Sequence, residues 1–340
     1  MSLARRDFIT LMAGGLGSSV LLAACGRSGG GGGGNKVKGP TIAMLQMVDS
    51  PPPNEVRRGF LAALAEAGYE EGRSLSTIQK DAAGELPNTN LVMKQFVSES
   101  PDLIFAIGTP PLQAAMKEVP ESIPVVFAYC SNPWGAGAGT PPGGVGQHRP
   151  NVVGTIGTNP VDKELDLAME IIPGLRTAGV IFNPGEPNSE YEAGILRAHA
   201  KKKGITLEEQ PVANSGEVLQ AAQALAQKKI GAFLKIGDYA TIQGFASIAK
   251  VGLEQKIPVF SVDADDIKIP GTLATIGWAY FDDGHAAGRL AVRVLKGEKP
   301  AKMPFEPLSK IDLIISNQTA KAIGVTVPEA VIKRATRVIT

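Results

Sequence analysis

Short apolar runs alternate with stretches of helical periodicity along almost the whole chain, and that alternation restricts the possible folds more than any other feature. Thr41 to Met47 is such a run. Behind it Val56, Phe60, Ala63, Leu64 and Ala67 recur at helical spacing, with Gly68 as a stop signal. Leu75 to Ile78, Asp102 to Ile107 and Ile123 to Ala128 read as strands, with Leu91 to Val97 and Pro111 to Lys117 as helices. A glycine- and proline-rich loop follows from Asn132 to Pro150, and the pattern then restarts. Val152 to Ile156, Ala178 to Phe182, Leu207 to Val212, Ala232 to Ile236, Val259 to Val262 and Leu273 to Ile276 are extended. Asp162 to Ile172, Glu190 to Lys203, Glu217 to Gln227, Ile242 to Leu253 and Phe281 to Leu295 are helical. Short β-rich runs separated by helices form βαβ units around a parallel sheet, and the right-handed crossover rule puts helices on both faces. Two series divided near residue 157 predict an α/β chain of two doubly wound, Rossmann-like lobes joined by a hinge.

The N-terminus carries a separate message. Arg5-Arg6 precedes a weakly apolar stretch, and Leu22-Ala23-Ala24 leads to Cys25. Gly26-Arg27-Ser28 and the glycine run Gly29 to Gly34 come next. A basic segment, an apolar segment, a small-residue cleavage site and a tether are the parts of an export signal. A cysteine at the cleavage point resembles a bacterial lipobox, which makes Cys25 the expected lipidation site. Ala4 to Thr10 resembles a twin-arginine export signal, and the general secretory route is the alternative. The stretch from Leu11 to Ala24 is interrupted by glycines and serines and is shorter than the ~20 apolar residues of a membrane span. Treated as a flexible coil, the tether would hold the body roughly 20 Å from a bilayer.

Composition narrows the classes of function. The chain has 34 Lys and Arg against 33 Asp and Glu, a net charge of +1, so it lacks the basic balance that accompanies nucleic-acid binding. Once Cys25 is lipidated, Cys130 is the one remaining thiol, and an intrachain disulfide is excluded. His148, His199 and His285 are scattered without metal-ligand spacing, and no metal site or cofactor is expected. The loop Gly135 to Gly144 has the composition of a phosphate loop but lacks its Gly-Lys-Ser/Thr ending. No G-x-S-x-G elbow or CxxC pair occurs, and no catalytic residues are assigned.

Ligands of open parallel sheets bind outside the carboxyl ends of the strands. Here those ends carry small or polar residues: Asp49-Ser50, Gly108-Thr109, Ala128-Tyr129 with Asn132 behind, Asn183-Pro184-Gly185, Gly237-Asp238-Tyr239 and Asp263-Ala264-Asp265. Each also opens a helix, whose first N–H groups attract anions. Thr109 and Ser189 stand at two such starts, and Ser189 with Glu192 also spells a capping box. Asp238 and Asp265 are the carboxylates available for a ligand ammonium. Tyr129, Trp134, Tyr239 and Tyr280 are candidates for stacking on an aromatic or apolar group.

The chain resembles ABC-transporter substrate-binding lipoproteins of the tryptophan/tyrosine-binding type from about Pro40 to Ile339. The stretches that carry the likeness are Gly59-Phe60 with Gly68 to Arg73, Pro101 to Ile104 with Gly108-Thr109-Pro110, and Ile123 to Phe127. Asn183-Pro184-Gly185-Glu186-Pro187-Asn188-Ser189 is the most specific; Leu273 to Gly277, Leu295 to Pro300, Leu313 to Asn317 and Ala322 to Pro328 complete the series. The resemblance implies a type I periplasmic-binding-protein fold with three crossovers. It divides the chain into a signal peptide 1–24, a lipidated cysteine and tether 25–39, a first lobe of 40–156 with 273–304, and a second of 157–272 with 305–340. It implies a monomer outside the cytoplasm that delivers a small molecule, such as an amino acid, to a membrane permease with an ATPase. By position it sets Ser50, Thr109, Asn132, Asn188, Ser189, Asp238 and Asp265 at the ligand. Where the family carries Asp-Pro-Val-Gly-Ala-Gly, this chain has Asn132-Pro133-Trp134-Gly135-Ala136-Gly137. The same cleft admits two other readings: a sensor that signals to a membrane receptor, and a secreted enzyme.

Overall fold

The computed structural model describes residues 39–340. Cys25, the expected signal segment and nearly all of the expected tether lie outside the described residues.

The first series supplies β1 (Thr41–Gln46), α1 (Pro51–Glu66), β2 (Ser76–Asp81), α2 (Leu86–Glu99), β3 (Leu103–Ile107), α3 (Thr109–Glu118), β4 (Val125–Cys130) and β5 (Val152–Ile156). The second supplies α4 (Val161–Ile171), β6 (Thr177–Phe182), α5 (Pro187–Lys203), β7 (Thr206–Pro211), α6 (Val218–Gln227), β8 (Ala232–Lys235), α7 (Tyr239–Gln255), β9 (Val259–Ser261) and β10 (Thr272–Trp278). The chain then runs through α8 (Tyr280–Leu295), β11 (Glu306–Pro307), β12 (Ile311–Ser316), α9 (Asn317–Ile323), α10 (Glu329–Arg334) and β13 (Arg337–Ile339). Strand order is β11-β5-β4-β3-β1-β2 in one sheet and β13-β12-β10-β9-β8-β6-β7 in the other. All pairings are parallel except β10 with β12. Both sheets therefore contain the doubly wound order in which the chain changes direction beside its first strand, and each such reversal opens a crevice at the strands' carboxyl ends.

Central strands are apolar on both faces because helices cover both. In the first lobe Phe105 of β3 stacks on Phe60 of α1 at 3.8 Å. On the opposite face Phe96, Leu112 and Phe127 are buried together. Helix α8 joins the first lobe: Ala287, Leu290, Ala291 and Val294 pack with Val56, Phe60 and Leu64. The second lobe repeats the plan, with Leu165 and Leu196 on one face and Val218, Leu225 and Phe245 on the other.

The lobe boundaries differ from the sequence expectation. Residues 273–278 do not return to the first lobe, because β10 pairs with β9 and β12 of the second sheet. The return comes at Ala279, just before α8. Residues 306 and 307 remain in the first lobe, where β11 pairs with β5. Three connections therefore cross between lobes: Gly157 to Pro160, Ala279, and Leu308 to Lys310. They are laced together. Gly157 N–H donates to the Cys130 carbonyl, Leu308 N–H to the Ile156 carbonyl, and the Trp278 indole N–H to the Thr158 carbonyl at 2.8 Å.

Candidate functional site

The two sheet reversals face each other, and the residues that follow their strands line a narrow cleft. Thr109 after β3, with Tyr129 and Ser131 at the end of β4, forms the first-lobe wall. Gly157 and Asn159 contribute from the crossing. Asn188 on α5, with Gly237, Tyr239 and Ile242 around the start of α7, forms the second-lobe wall. The space between the walls is about 10 Å³, room for the order of one water. Tyr239 reaches across to pack with Met47, Val48 and Ala82 of the first lobe. A wider groove of about 800 Å³ adjoins the cleft at Pro110 and Pro187 and is also lined by Gln113 and Arg149.

Local sequence explains how each wall is held. Gly108 has φ +109°, a conformation open to glycine alone, and the chain turns there from β3 into α3. A Cβ at that position would lie 2.3 Å from the Tyr239 hydroxyl oxygen. Tyr129 also has a positive φ, +55°, which is costly for a residue with a bulky side chain. Its N–H is tied to Asp283 Oδ2 at 2.8 Å, and its ring meets the edge of Tyr280 at 5.1 Å. Burial pushes the Asp283 carboxyl up to about 6, and bonds from Thr155 and the Tyr129 N–H oppose that rise. Thr109 Oγ1 has Cys130 Sγ as its side-chain neighbour at 3.4 Å, a weak partner. Prolines 51 to 53 open α1 and Pro110-Pro111 follow Thr109 in α3, so these helix starts lack most of the N–H groups that would attract an anion.

The sequence candidates separate into two groups. Thr109, Tyr129, Asn188 and Tyr239 come together in the cleft. The others are placed elsewhere, for identifiable reasons. Asp238 is wholly buried and accepts from Thr241 N–H at 2.7 Å, Asn183 N–H at 2.9 Å and Ser189 Oγ at 2.8 Å, so its lone pairs are used inside the protein. Ser189 is the third helical residue of α5 and not its cap, which corrects the capping-box reading. Asp265 lies in a short 3₁₀ turn, is 36 % exposed and pairs with Lys268 at 2.6 Å, away from the cleft. Asn132 folds its Oδ1 onto Gly135 N–H within the glycine-rich loop. Tyr280 donates its hydroxyl to Asp263, which also pairs with the buried Lys235, and backs Tyr129 without lining the cleft. Ser50 precedes α1 outside the cleft, its buried Oγ without a hydrogen-bond partner.

Ser131, Asn159 and Glu192 were not singled out by the sequence. Glu192 lies one turn after Asn188 on the same face of α5, and that i, i+4 spacing was the available signal. It is fully buried, accepts from Asn159 Nδ2 at 3.0 Å and from Gly237 N–H at 3.0 Å, and the Ser131 hydroxyl also bonds to it. Burial pushes its carboxyl up to about 7 against these bonds. Glu186, beside Asp238, is likewise raised by burial and by that neighbouring charge, and accepts from Tyr239 N–H. Among the described residues no cluster of side chains could hold a metal ion. No helix among them is long and apolar enough to cross a membrane.

Comparison with known proteins agrees with this architecture. The profile of a family described as ABC transporter substrate binding protein matches residues 41–339. A tyrosine-binding protein of Clostridioides difficile is 31 % identical over 322 residues, covering 92 % of this chain and 90 % of that protein. The crystal structure of an ABC domain in complex with L-Trp, from Streptococcus pneumoniae, has a TM-score of 0.82 at 27 % identity, covering 89 % of this chain and all of that one. The ligand-free, open structure of a Clostridium difficile substrate binding protein with adhesive properties has a TM-score of 0.67 at 30 % identity, covering 88 % and 99 %. The backbone is thus nearer the L-Trp complex, although the sequence is slightly nearer the open protein. Paired doubly wound lobes, three laced crossings and a family match spanning the described body lead to one conclusion: the chain belongs to the ABC transporter substrate binding protein family.

Proposed function

We propose that this protein captures an amino acid with an aromatic side chain between its lobes, outside the cytoplasm, and delivers it to a membrane permease driven by an ATPase. The observation that carries the reading is the cleft itself: polar residues from both lobes and from the crossing converge on one narrow space flanked by Tyr129 and Tyr239. The names of the relatives support the ligand class, since one is a tyrosine-binding protein and another was solved with L-Trp. Thr109 Oγ1 and the first-turn N–H groups of α5 are suited to a carboxylate, and the tyrosines to a ring.

Capture works by hinge closure. A ligand that touches both walls favours the shut arrangement by its differential affinity for it. The walls stand close together, so a ligand enters as the lobes part about the three crossings and is enclosed as they return. Cys25 would carry the lipid anchor that keeps the protein, as a monomer, beside its permease. Sensing through a membrane receptor would use the same closure. Thermal-shift measurement with the twenty L-amino acids, followed by calorimetric titration, tests the reading. Stabilisation by L-tryptophan or L-tyrosine is expected, about 2.7 kcal/mol at 100 times the dissociation constant. No response to either would refute the ligand assignment.

A further inference from the structure

We propose that the cleft holds a ligand ammonium group on two asparagine carbonyl oxygens, Asn159 Oδ1 and Asn188 Oδ1, with Glu192 as the positioning residue that turns the first of them toward the ligand. The proposal deepens the amino-acid reading above and rests on it. It also replaces the aspartates that sequence suggested for this role.

Hydrogen-bond chemistry fixes both amides. Asn188 Nδ2 donates to the Gly237 carbonyl at 2.9 Å, and only the NH₂ end can do so. Its Oδ1 is therefore the other end, and that atom is buried without a hydrogen-bond partner. Asn188 itself is 6 % exposed and lines the cleft. A buried acceptor left unpaired is costly unless a ligand donor completes it. Asn159 Nδ2 lies within 3.0 and 3.3 Å of the two Glu192 carboxylate oxygens, which again requires the NH₂ end and turns Oδ1 away from the carboxylate. Asn159 also lines the cleft. Both asparagines flank Gly237 in the lining of one space, and two acceptors there suit a group with several donors.

Electrostatics selects a cation. No lysine, arginine or histidine lines the cleft. Behind its walls stand the carboxyls of Glu192, Glu186 and Asp238, bonded to Gly237, Tyr239 and Ser189 respectively. The nearby Lys235 ammonium is already paired with Asp263 and Asp266. An ammonium between the asparagines would meet no competing cation in the lining.

Calorimetry with L-tryptophan and with indole-3-propionate, the same molecule without its amine, tests the inference. Wild-type protein is expected to prefer the amine by at least ~100-fold, the scale of an unpaired buried group. Asn188→Leu should lower L-tryptophan affinity by at least ~10-fold while changing indole-3-propionate by less than ~3-fold. Glu192→Gln frees Asn159 to flip and should reduce the preference without abolishing binding of indole-3-propionate. Melting curves identify any variant that fails to fold, and Asn159→Leu then provides the second reading. A preference that survives both Asn188→Leu and Asn159→Leu overturns the proposal. If wild-type protein binds neither L-tryptophan nor L-tyrosine, the aromatic amino-acid reading fails instead. A thermal-shift panel of primary amines and matching alcohols then reads the subsite directly, and equal responses to both would overturn it.

Discussion

Replacing Gly108 by alanine should weaken ligand binding through a contact that exists only when the lobes are shut. Gly108 belongs to the first lobe and Tyr239 to the second. A methyl group at residue 108 would lie 2.3 Å from the Tyr239 hydroxyl oxygen and 3.6 Å from its Cζ. The first distance is untenable and the second is an ordinary contact. The substitution then has two separable costs. Alanine at φ +109° and ψ 163° costs about 1–3 kcal/mol in every state and lowers global stability. Overpacking against the hydroxyl costs about 1–3 kcal/mol and falls on the shut state alone. At 1.4 kcal/mol per decade, that is roughly a 5- to 150-fold loss of affinity. Calorimetric titration with L-tryptophan reads the loss, and urea denaturation without ligand reads the stability cost. Tyr239→Phe removes the offending oxygen, so the Gly108→Ala, Tyr239→Phe double variant should regain most of the affinity lost by Gly108→Ala while keeping its stability deficit. Equal affinity deficits in the single and double alanine variants would refute the reasoning, because the two lobes would then not meet at this contact.

Other outcomes follow from the buried polar groups. Glu192 and Asp283 have folded-state pKa values raised to about 7 and about 6, above the ~4 of an unfolded carboxyl. The folded protein therefore holds more protons than the unfolded chain, and stability should fall as pH rises from about 5 to about 7, which a melting series across that window measures. Asp238→Asn leaves donors facing the new NH₂ group at the starts of α5 and α7, and should cost about 2–3 kcal/mol in urea denaturation. The Cys130 thiol is buried and burial pushes it up to about 12, so it should resist alkylation until the protein is unfolded.

The layered architecture was legible because hydrophobic period reports burial, and burial on both faces is what doubly wound strands require. The lobe boundary near residue 273 was not. Whether β10 stays with β9 or crosses over is decided by pairing with β12, which lies some forty residues further along and runs antiparallel. The cleft residues legible in the sequence are those at strand ends and at the helix starts behind them: Tyr129 near the end of β4, Thr109 and Tyr239 opening α3 and α7, and Asn188 in the first turn of α5. Asp238 and Ser189 also sit at strand or helix ends, but they bond to each other, and nothing local distinguishes an aspartate that meets a ligand from one that closes a helix cap. Asn159 and Glu192 were missed because their meaning comes from an approach across 33 positions of chain.

Small-angle scattering on the protein with and without saturating L-tryptophan tests the central claim most directly. Parting and shutting about three laced crossings should appear as a smaller radius of gyration with ligand, and Gly108→Ala should retain the larger value at the same ligand concentration. Calorimetric binding accompanied by identical scattering curves would contradict closure as the means of capture.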